Sequence, residues 1–529
     1  MSAPALLTEW ARLLLGSLRR SGLRQVIVSP GSRSTPFIWA ALREPGLDCR
    51  TVIDERTAAF FALGHARITG RPALLISTSG TAAANYFPAL VEAAESHLPV
   101  LVLTADRPLE LQRAGAPQTI DQVKLYGDYV RAYIDLGTPD PDRRMLRALP
   151  RLAAQALGES LGPVPGPVHI NARARKPLEP RSATTPADAE LSATVDRLLE
   201  AVPRVGTADL RAPGEMDLEP VIGSCRRARR GLIVCGPAPA PHAATPAAVG
   251  RLARTTGFPV VAEAASQHRF ADLGEATRLD RFPALLEVPE LAAAHAPDVL
   301  IQVGRPPTAS GWHTALDAWE DTERHVLAAH GWPDPWSSAA TVTRGPLEET
   351  VGALSSALEA GPGDPDLDGQ RKEWREALRR LDERAGAVID ASLAGGFPEG
   401  AAVRAAVAAI PDDGVLVLGN SLPIREVDAF VPGGGRRLTV CFQRGANGID
   451  GVVSGAAGAA AAAVRPTTLL VGDVSLAHDL GGLALVRDLP AALTVVVLNN
   501  GGGRIFERLP LAAALEADEA LAPRPTPPP

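Results

Sequence analysis

The chain has 529 residues, 46% hydrophobic and 21% charged, with a formal net charge of −7. At roughly 150 residues per domain this is room for about three domains, each able to bury a core of its own. The acidic balance leaves no basic footprint for nucleic acid, and no apolar run reaches the ~18 residues that a membrane-spanning helix needs.

The first apolar stretch, Leu6 to Leu18, is interrupted by Glu9, Arg12 and Ser17. That spacing predicts an amphipathic helix rather than a signal peptide. Short strand candidates follow at 25–29, 50–53, 73–77 and 100–104, with helix-length segments at 55–69 and 79–97 between them, and 166–171 reads as the last strand of this group. The Pro-, Ser- and Thr-rich stretch from Lys176 to Asp188 reads as a linker. A second set of strand candidates lies at 231–235, 259–263, 299–304 and 326–329. Gly361-Pro-Gly-Asp-Pro365 marks the next boundary, and a charged helix is expected over roughly 370–391. The third set is 414–418, 437–442, 467–472 and 493–498, and the Ala-rich run at 456–464 reads as a tightly packed helix. Alternating helix and strand implies parallel sheets covered on both faces. The expected fold is therefore α/β, with three doubly wound parallel-sheet domains over 1–180, 190–358 and 366–529, and a disordered tail from about residue 518, rich in proline. Cys49, Cys225, Cys235 and Cys441 are scattered without CxxC pairing and read as reduced thiols of a cytoplasmic protein.

The chemistry concentrates where strands end. Thr468-Leu-Leu-Val-Gly-Asp-Val-Ser475 and Leu493-Thr-Val-Val-Val-Leu-Asn-Asn500 each close on a polar residue, and 27 positions separate Asp473 from Asn500. One crossover helix between parallel strands fits that interval, and both side chains would then emerge at the carboxyl edge of one sheet. A carboxylate beside an amide oxygen suits a hard cation shared with phosphate oxygens, and Gly501 to Gly503 would let a diphosphate approach the backbone. The bland alternative is two buried strands ending in loop-forming residues. Ser29-Pro-Gly-Ser-Arg-Ser-Thr-Pro36 follows a strand and gathers hydroxyls and a guanidinium at a helix start, either as an anion site or as a capped loop. Glu55 stands where a strand gives way to a helix, a place where a carboxylate ordinarily complements the helix N-terminus. Ser77-Thr-Ser-Gly-Thr-Ala-Ala-Ala-Asn85 adds a turn of small residues. His65, His97 and His478 read as structural, and neither a nucleophile elbow nor a His/Cys zinc cluster is present.

The Asp473…Asn500 pattern resembles the metal–diphosphate motif of thiamine diphosphate enzymes, with Val474 where those enzymes carry glycine. Further strings narrow the likeness: Ser29 to Pro36, Thr104-Ala-Asp-Arg-Pro108, Gly115-Ala-Pro-Gln-Thr-Ile-Asp-Gln122, Gly419-Asn-Ser-Leu-Pro-Ile-Arg425 and Arg444-Gly-Ala-Asn-Gly-Ile-Asp-Gly451. In that order they resemble the 2-succinyl-5-enolpyruvyl-6-hydroxy-3-cyclohexene-1-carboxylate synthase family of menaquinone biosynthesis. The resemblance implies a transferase that decarboxylates 2-oxoglutarate and adds the resulting succinyl-semialdehyde carbanion to isochorismate in a 1,4 sense. It implies thiamine diphosphate with Mg²⁺ or Mn²⁺, and a homodimer or dimer of dimers. The three domains would be a pyrimidine-binding domain, a middle domain and a diphosphate-binding domain.

Carried over residue by residue, Glu55 would be the acid that activates the cofactor. Asp473, Asn500 and the carbonyl of Gly502 would hold the metal. Ser79, Ile449, Gly472, Val474, Ser475 and Ile505 would contact the cofactor, Ile449 by packing under its bend. Ser32, Arg33, Arg107, Gln118, Ser421, Arg425, Arg444 and Phe506 would meet the substrates. Both substrates are carboxylate-bearing acids, so several arginines are what their recognition demands. Pro307-Thr-Ala-Ser-Gly311 stands where some members carry a basic pair, and only 29 residues follow Asn500. These departures keep two alternatives open: another thiamine diphosphate decarboxylase or acetolactate-type synthase, and an inactive truncated homologue.

Overall fold

The computed structural model describes residues 2–206 and 210–508. Three sheets form, and every strand pair in them is parallel. The first contains β1 (Gln25–Val28), β2 (Asp48–Thr51), β3 (Ala73–Ser77), β4 (Val100–Asp106), β5 (Ala132–Asp135) and β6 (Pro167–Arg173), ordered β2-β1-β3-β4-β6-β5. The second contains β7 (Gly231–Cys235), β8 (Val260–Ala262), β9 (Val299–Val303), β10 (Glu323–Ala328) and β11 (Ala339–Arg344), ordered β11-β10-β9-β7-β8. The third contains β12 (Val415–Leu418), β13 (Thr439–Phe442), β14 (Thr467–Gly472) and β15 (Leu493–Leu498), ordered β13-β12-β14-β15. Central strands such as β3, β4 and β7 are buried at every position, as sheets covered on both faces require.

Two compact units result. One comprises 2–206 with 443–464 and 478–490, and holds the first sheet. The other comprises 210–442, 465–477 and 491–508, and holds the second and third sheets.

In the first unit the amphipathic amino-terminal stretch is the helix Ala3–Ser21, which buries Leu7, Trp10, Leu14 and Leu18 in the core. The helix Pro186–Glu200 buries Leu191, Val195 and Leu199 in that same core, and a Thr185–Asp188 capping box starts it inside the expected linker. The segment 79–97 is two helices rather than one, Thr81–Ala84 and Phe87–Ser96. Pro88 lacks an amide proton and fits only the opening turn of the second. The helix Glu55–Thr69 packs along the Ala-rich helix Val452–Ala463 at backbone distance. A Cβ on Gly64 would lie 1.9 Å from the carbonyl oxygen of Gly455, so only glycine permits this approach.

In the second unit Asp364 caps the charged helix Pro365–Leu393 by accepting the amides of Asp366 and Leu367. The crossover from β14 to β15 is shorter and more broken than expected. It consists of the helix Asp473–His478 and a 3-10 stretch over Leu480–Asp488, and the latter belongs to the first unit. Strands β5 and β11 escape the sequence pattern because both are partly exposed edge strands without an apolar run. Among the described residues no helix is long and apolar enough to cross a membrane. The tail expected from about residue 518 lies outside the described residues.

Candidate functional site

Strand order reverses between β1 and β3 in the first sheet, which opens a crevice at their carboxyl ends. The first anion-site candidate leaves β1 there. Gly31 lets the turns after β1 and β3 touch, since a Cβ on it would meet that of Thr78 at 2.4 Å. Ser32, Arg33 and Ser34 form a single 3-10 turn in which Ser34 Oγ donates to the Gly31 carbonyl at 2.9 Å. Ser32 is exposed, whereas Arg33 is buried and donates to the carbonyl of Ala174.

Glu55 follows β2 as the first residue of its helix and is half-buried. The cap is its neighbour Asp54, which accepts the Arg56 amide at 2.9 Å and pairs with the Arg56 guanidinium at 2.9 Å. Glu55 is thus not needed as the helix cap. Burial, reinforced by the charge of Glu55, pushes the Tyr86 phenol well above its ordinary value and keeps it neutral. The buried hydroxyls of Ser29 and Ser77 neighbour that phenol and oppose the shift only in part. A cavity of about 300 Å³ lies against the helix start, lined by Asp54, Arg56, Thr57, Phe60, Asp450 and Asp479 among others.

Three residues expected at the site converge at the ends of β3 and β4. Ser79 Oγ donates to the Gln118 carbonyl at 3.0 Å, and Gln118 Nε2 returns a bond to the Ser79 carbonyl at 3.0 Å. Arg107 Nε reaches that same Gln118 carbonyl at 3.4 Å. Gln118 holds a left-handed φ of 55°, a strained conformation of the kind that gathers at binding sites. A buried polar chain supports the cluster. Gln122 accepts the Gly80 amide at 3.1 Å and donates to Asn171 at 3.1 Å; Asn171 donates to Asp106 at 3.0 Å; Asp106 accepts the Arg107 amide at 2.7 Å. Asp106 and Gln122 lie inside strings that the sequence already singled out, but their supporting role shows only in three dimensions. Asn171 and Tyr86 carried no local signal of it. Arg444 and Ile449, both half-buried, lie on a loop of this same unit, closed where Gln443 Nε2 donates to the Gly451 carbonyl at 3.1 Å.

The third sheet reverses order between β12 and β14, and its candidates gather at that switch point and the neighbouring edge. Ser421 opens the helix Leu422–Phe430 with φ 71° and ψ −126°, and Arg425 Nη1 folds back to its carbonyl at 2.7 Å. Asp473 directly follows β14 and is buried. Its Oδ1 accepts the Val474 amide at 2.8 Å, and its Oδ2 accepts the Gly502 amide at 2.8 Å. Asn500 Nδ2 donates to Glu399 at 3.1 Å, which uses the amide's donor side and turns its oxygen the other way. Gly501, Gly502 and Gly503 all hold positive φ, and a Cβ on Gly472 or Gly501 would meet no heavy atom within 4 Å. The backbone beside Asp473 is therefore open. Ser475 is buried, Val474 and Ile505 are half-buried, and Phe506 is 53% exposed. Among the described residues no group of three or more His, Cys, Asp or Glu could hold a metal ion.

The Pro307–Gly311 stretch is tied inward. Thr308 and Ala309 donate their amides to fully buried Glu263, at 2.7 Å and 3.1 Å, and Ser310 Oγ donates to Glu287 at 2.6 Å. Burial, then the nearby charge of Asp428, pushes Glu263 up to about 8.

Comparison with known proteins decides the family. Residues 8–125 match the thiamine pyrophosphate enzyme, N-terminal TPP binding domain. The chain is 46% identical over 522 residues to the 2-succinyl-5-enolpyruvyl-6-hydroxy-3-cyclohexene-1-carboxylate synthase of Sorangium cellulosum (strain So ce56), covering 97% of this chain and 84% of the relative. The synthase of the same name from Haloarcula marismortui (strain ATCC 43049 / DSM 3752 / JCM 8966 / VKM B-1809) is 40% identical over 526 residues, with 97% and 86% covered. That of Geobacillus kaustophilus (strain HTA426) is 38% identical over 521, with 98% and 87% covered. The chain belongs to this synthase family. The three parallel α/β sheets are those of a thiamine diphosphate enzyme, and the carboxyl-edge clusters are where such a fold presents ligand-binding groups.

Proposed function

We propose that this synthase decarboxylates 2-oxoglutarate and transfers the remaining four-carbon unit to isochorismate, in menaquinone biosynthesis. The observation that carries the reading is the likeness, over 97% of this chain, to synthases of that name. When bound, thiamine diphosphate supplies the electron sink for loss of CO₂ from a 2-oxo acid. The residues fit it: an open backbone cradle at Gly472 and Gly501 adjoins a buried carboxylate, and the donors beside it are hard oxygens.

Asp473, Asn500 and the Gly502 carbonyl would hold Mg²⁺ or Mn²⁺, with Glu399 orienting the Asn500 amide. Glu55 would hold a proton on a ring nitrogen of the cofactor's pyrimidine, next to the neutral Tyr86 phenol. Ser79, Ile449, Gly472, Val474, Ser475 and Ile505 would line the cofactor. Arg107, Arg425 and Arg444 would pair with substrate carboxylates, with Ser32, Gln118, Ser421 and Phe506 around them. Arg33 would join them only by leaving the Ala174 carbonyl, so its first task here is to hold the turn after β1. The domain division 1–180, 190–358 and 366–529 assigns one sheet to each domain. A cytoplasmic homodimer or dimer of dimers completes the reading, and four free cysteines are its support for a reducing compartment.

The test supplies purified protein with Mg²⁺ and thiamine diphosphate. CO₂ release from 2-oxoglutarate should be faster when isochorismate is present. Release from pyruvate but not from 2-oxoglutarate would replace this reading with an acetolactate-type one.

A further inference from the structure

We infer that Glu92, clamped by Arg67, is a positioning residue that sets the Arg444–Gly451 loop and, through it, Arg444. The inference rests on the reading above that Arg444 meets a substrate carboxylate.

Glu92 lies in the helix Phe87–Ser96 and is 3% exposed. A carboxylate so buried is costly unless its oxygens are fully engaged. Oε1 takes Arg67 Nη2 at 2.5 Å, Ser96 Oγ at 2.7 Å and the Gly445 amide at 3.0 Å, and Oε2 takes the Ala446 amide at 2.6 Å. Arg67, 4% exposed, comes from the helix that Glu55 begins. Two successive backbone amides converging on one anion form a nest of the kind that binds phosphates, but here the anion is the protein's own side chain. The contact spans 353 positions of the chain and falls on the residue directly after Arg444.

The loop is shaped around this anchor. A Cβ on Gly445 would meet the Glu92 carbonyl oxygen at 2.7 Å and Glu92 Oε2 at 2.9 Å. Asn447 turns back with φ 61°. At the far end Gly451, φ 63°, accepts Gln443 and lies so close to the Phe60 ring that a Cβ would stand 1.9 Å from it. Both ends of the segment are therefore fixed on the first unit. Burial alone does not account for the ion pair, since apolar residues of similar volume commonly serve a core as well or better. What the pair adds is direction, because its second oxygen accepts one loop amide and its first accepts another beside Arg67 and Ser96.

The experiment compares Arg444→Ala, Glu92→Gln and Gly445→Ala, each also in combination with Arg444→Ala. Gly445→Ala pushes the loop off its anchor while keeping both side chains of the Arg67–Glu92 pair, so it serves even if Glu92→Gln fails to fold. Melting temperature confirms folding, and amide hydrogen exchange at residues 445 and 446 reads the anchor without cofactor or substrate. Both anchor variants should speed exchange there. Each should lower kcat/KM on the order of 10- to 100-fold for whichever acid Arg444→Ala impairs, as a misplacement near 1 Å does. Neither should add to the loss in the Arg444→Ala background. Wild-type kcat/KM in Arg444→Ala would sink the underlying reading. An impaired Arg444→Ala with additive losses, or with full activity in folded Glu92→Gln and Gly445→Ala, would overturn the inference itself.

Discussion

Asp473 Oδ2 accepts the amide of Gly502 at 2.8 Å, which ties the end of β14 to the turn after β15. The carboxylate is thereby aimed while each oxygen keeps a lone pair for a further partner. Asp473→Asn retains an acceptor for Gly502 and removes the charge. Its affinity for thiamine diphosphate at fixed Mg²⁺ should fall on the order of 10- to 100-fold, as losses around metal sites do. Chelation of the metal should produce the same loss in the unaltered protein. Calorimetric titration measures both, and unchanged affinity in Asp473→Asn would remove Asp473 from the metal.

Glu55 should separate binding from turnover. Asp54 already caps the helix, so Glu55→Gln leaves the local fold its main support. The variant should bind the cofactor with little change and lose turnover by roughly 10²- to 10⁴-fold, the usual range for a positioned proton-transfer group. Rates of CO₂ release with cofactor saturation checked by titration decide it. Full turnover would leave Glu55 a helix-terminal charge only.

Much of this was legible in the sequence, for physical reasons. β3, β4, β14 and β15 are short, largely apolar runs with clear ends, so the positions of Ser79, Arg107, Asp473 and Asn500 just beyond strand ends followed directly. Glu55 stood at a strand-to-helix junction, on a helix that Asp54 caps at its start and Gly70 at its end. Less legible were features that depend on distant partners. Nothing near Glu92 in the chain announces that its carboxylate holds Gly445 and Ala446. Arg33 was expected to meet a substrate, and its burial against the carbonyl of Ala174 shows only in three dimensions. The edge strands β5 and β11 lack the apolar pattern that buried strands must have.

The seam between the helices Glu55–Thr69 and Val452–Ala463 admits a direct test. A methyl at Gly64 would stand 1.9 Å from the Gly455 carbonyl oxygen and 2.8 Å from the Ala459 nitrogen, both backbone atoms that cannot swing aside. Gly64→Ala should therefore destabilise despite the better helix propensity of alanine, by about 1–3 kcal/mol or more. Urea unfolding would show it. Stability equal to or above that of the unaltered chain would mean that the two helices can part at no cost.

His169 gives the pH dependence a defined sign. It sits in β6 with no exposed surface, its ring edge-on to Tyr126 at 4.7 Å and tilted against Tyr133 at 5.1 Å. Nε2 meets Thr104 Oγ1 at 2.8 Å, and that hydroxyl also donates to Asn171 at 2.8 Å, within the polar chain behind Arg107. Burial lowers the imidazole from 6.5 to about 3, opposed only in part by the charge of Asp135. A group lowered in this way favours the folded state when both states are neutral. As pH falls below 6.5 the unfolded chain takes up a proton that the folded one refuses, so stability drops until pH nears 3. At about 1.4 kcal/mol per pKa unit, the loss by pH 4.5 is on the order of 2–3 kcal/mol. His169→Gln offers Thr104 a neutral amide that does not titrate. The stability difference between the two proteins, measured by urea unfolding from pH 7 to 4.5, should shift in favour of the variant as the pH is lowered. A difference that stays constant across that range would mean that His169 carries its proton in the folded state as readily as in the unfolded one.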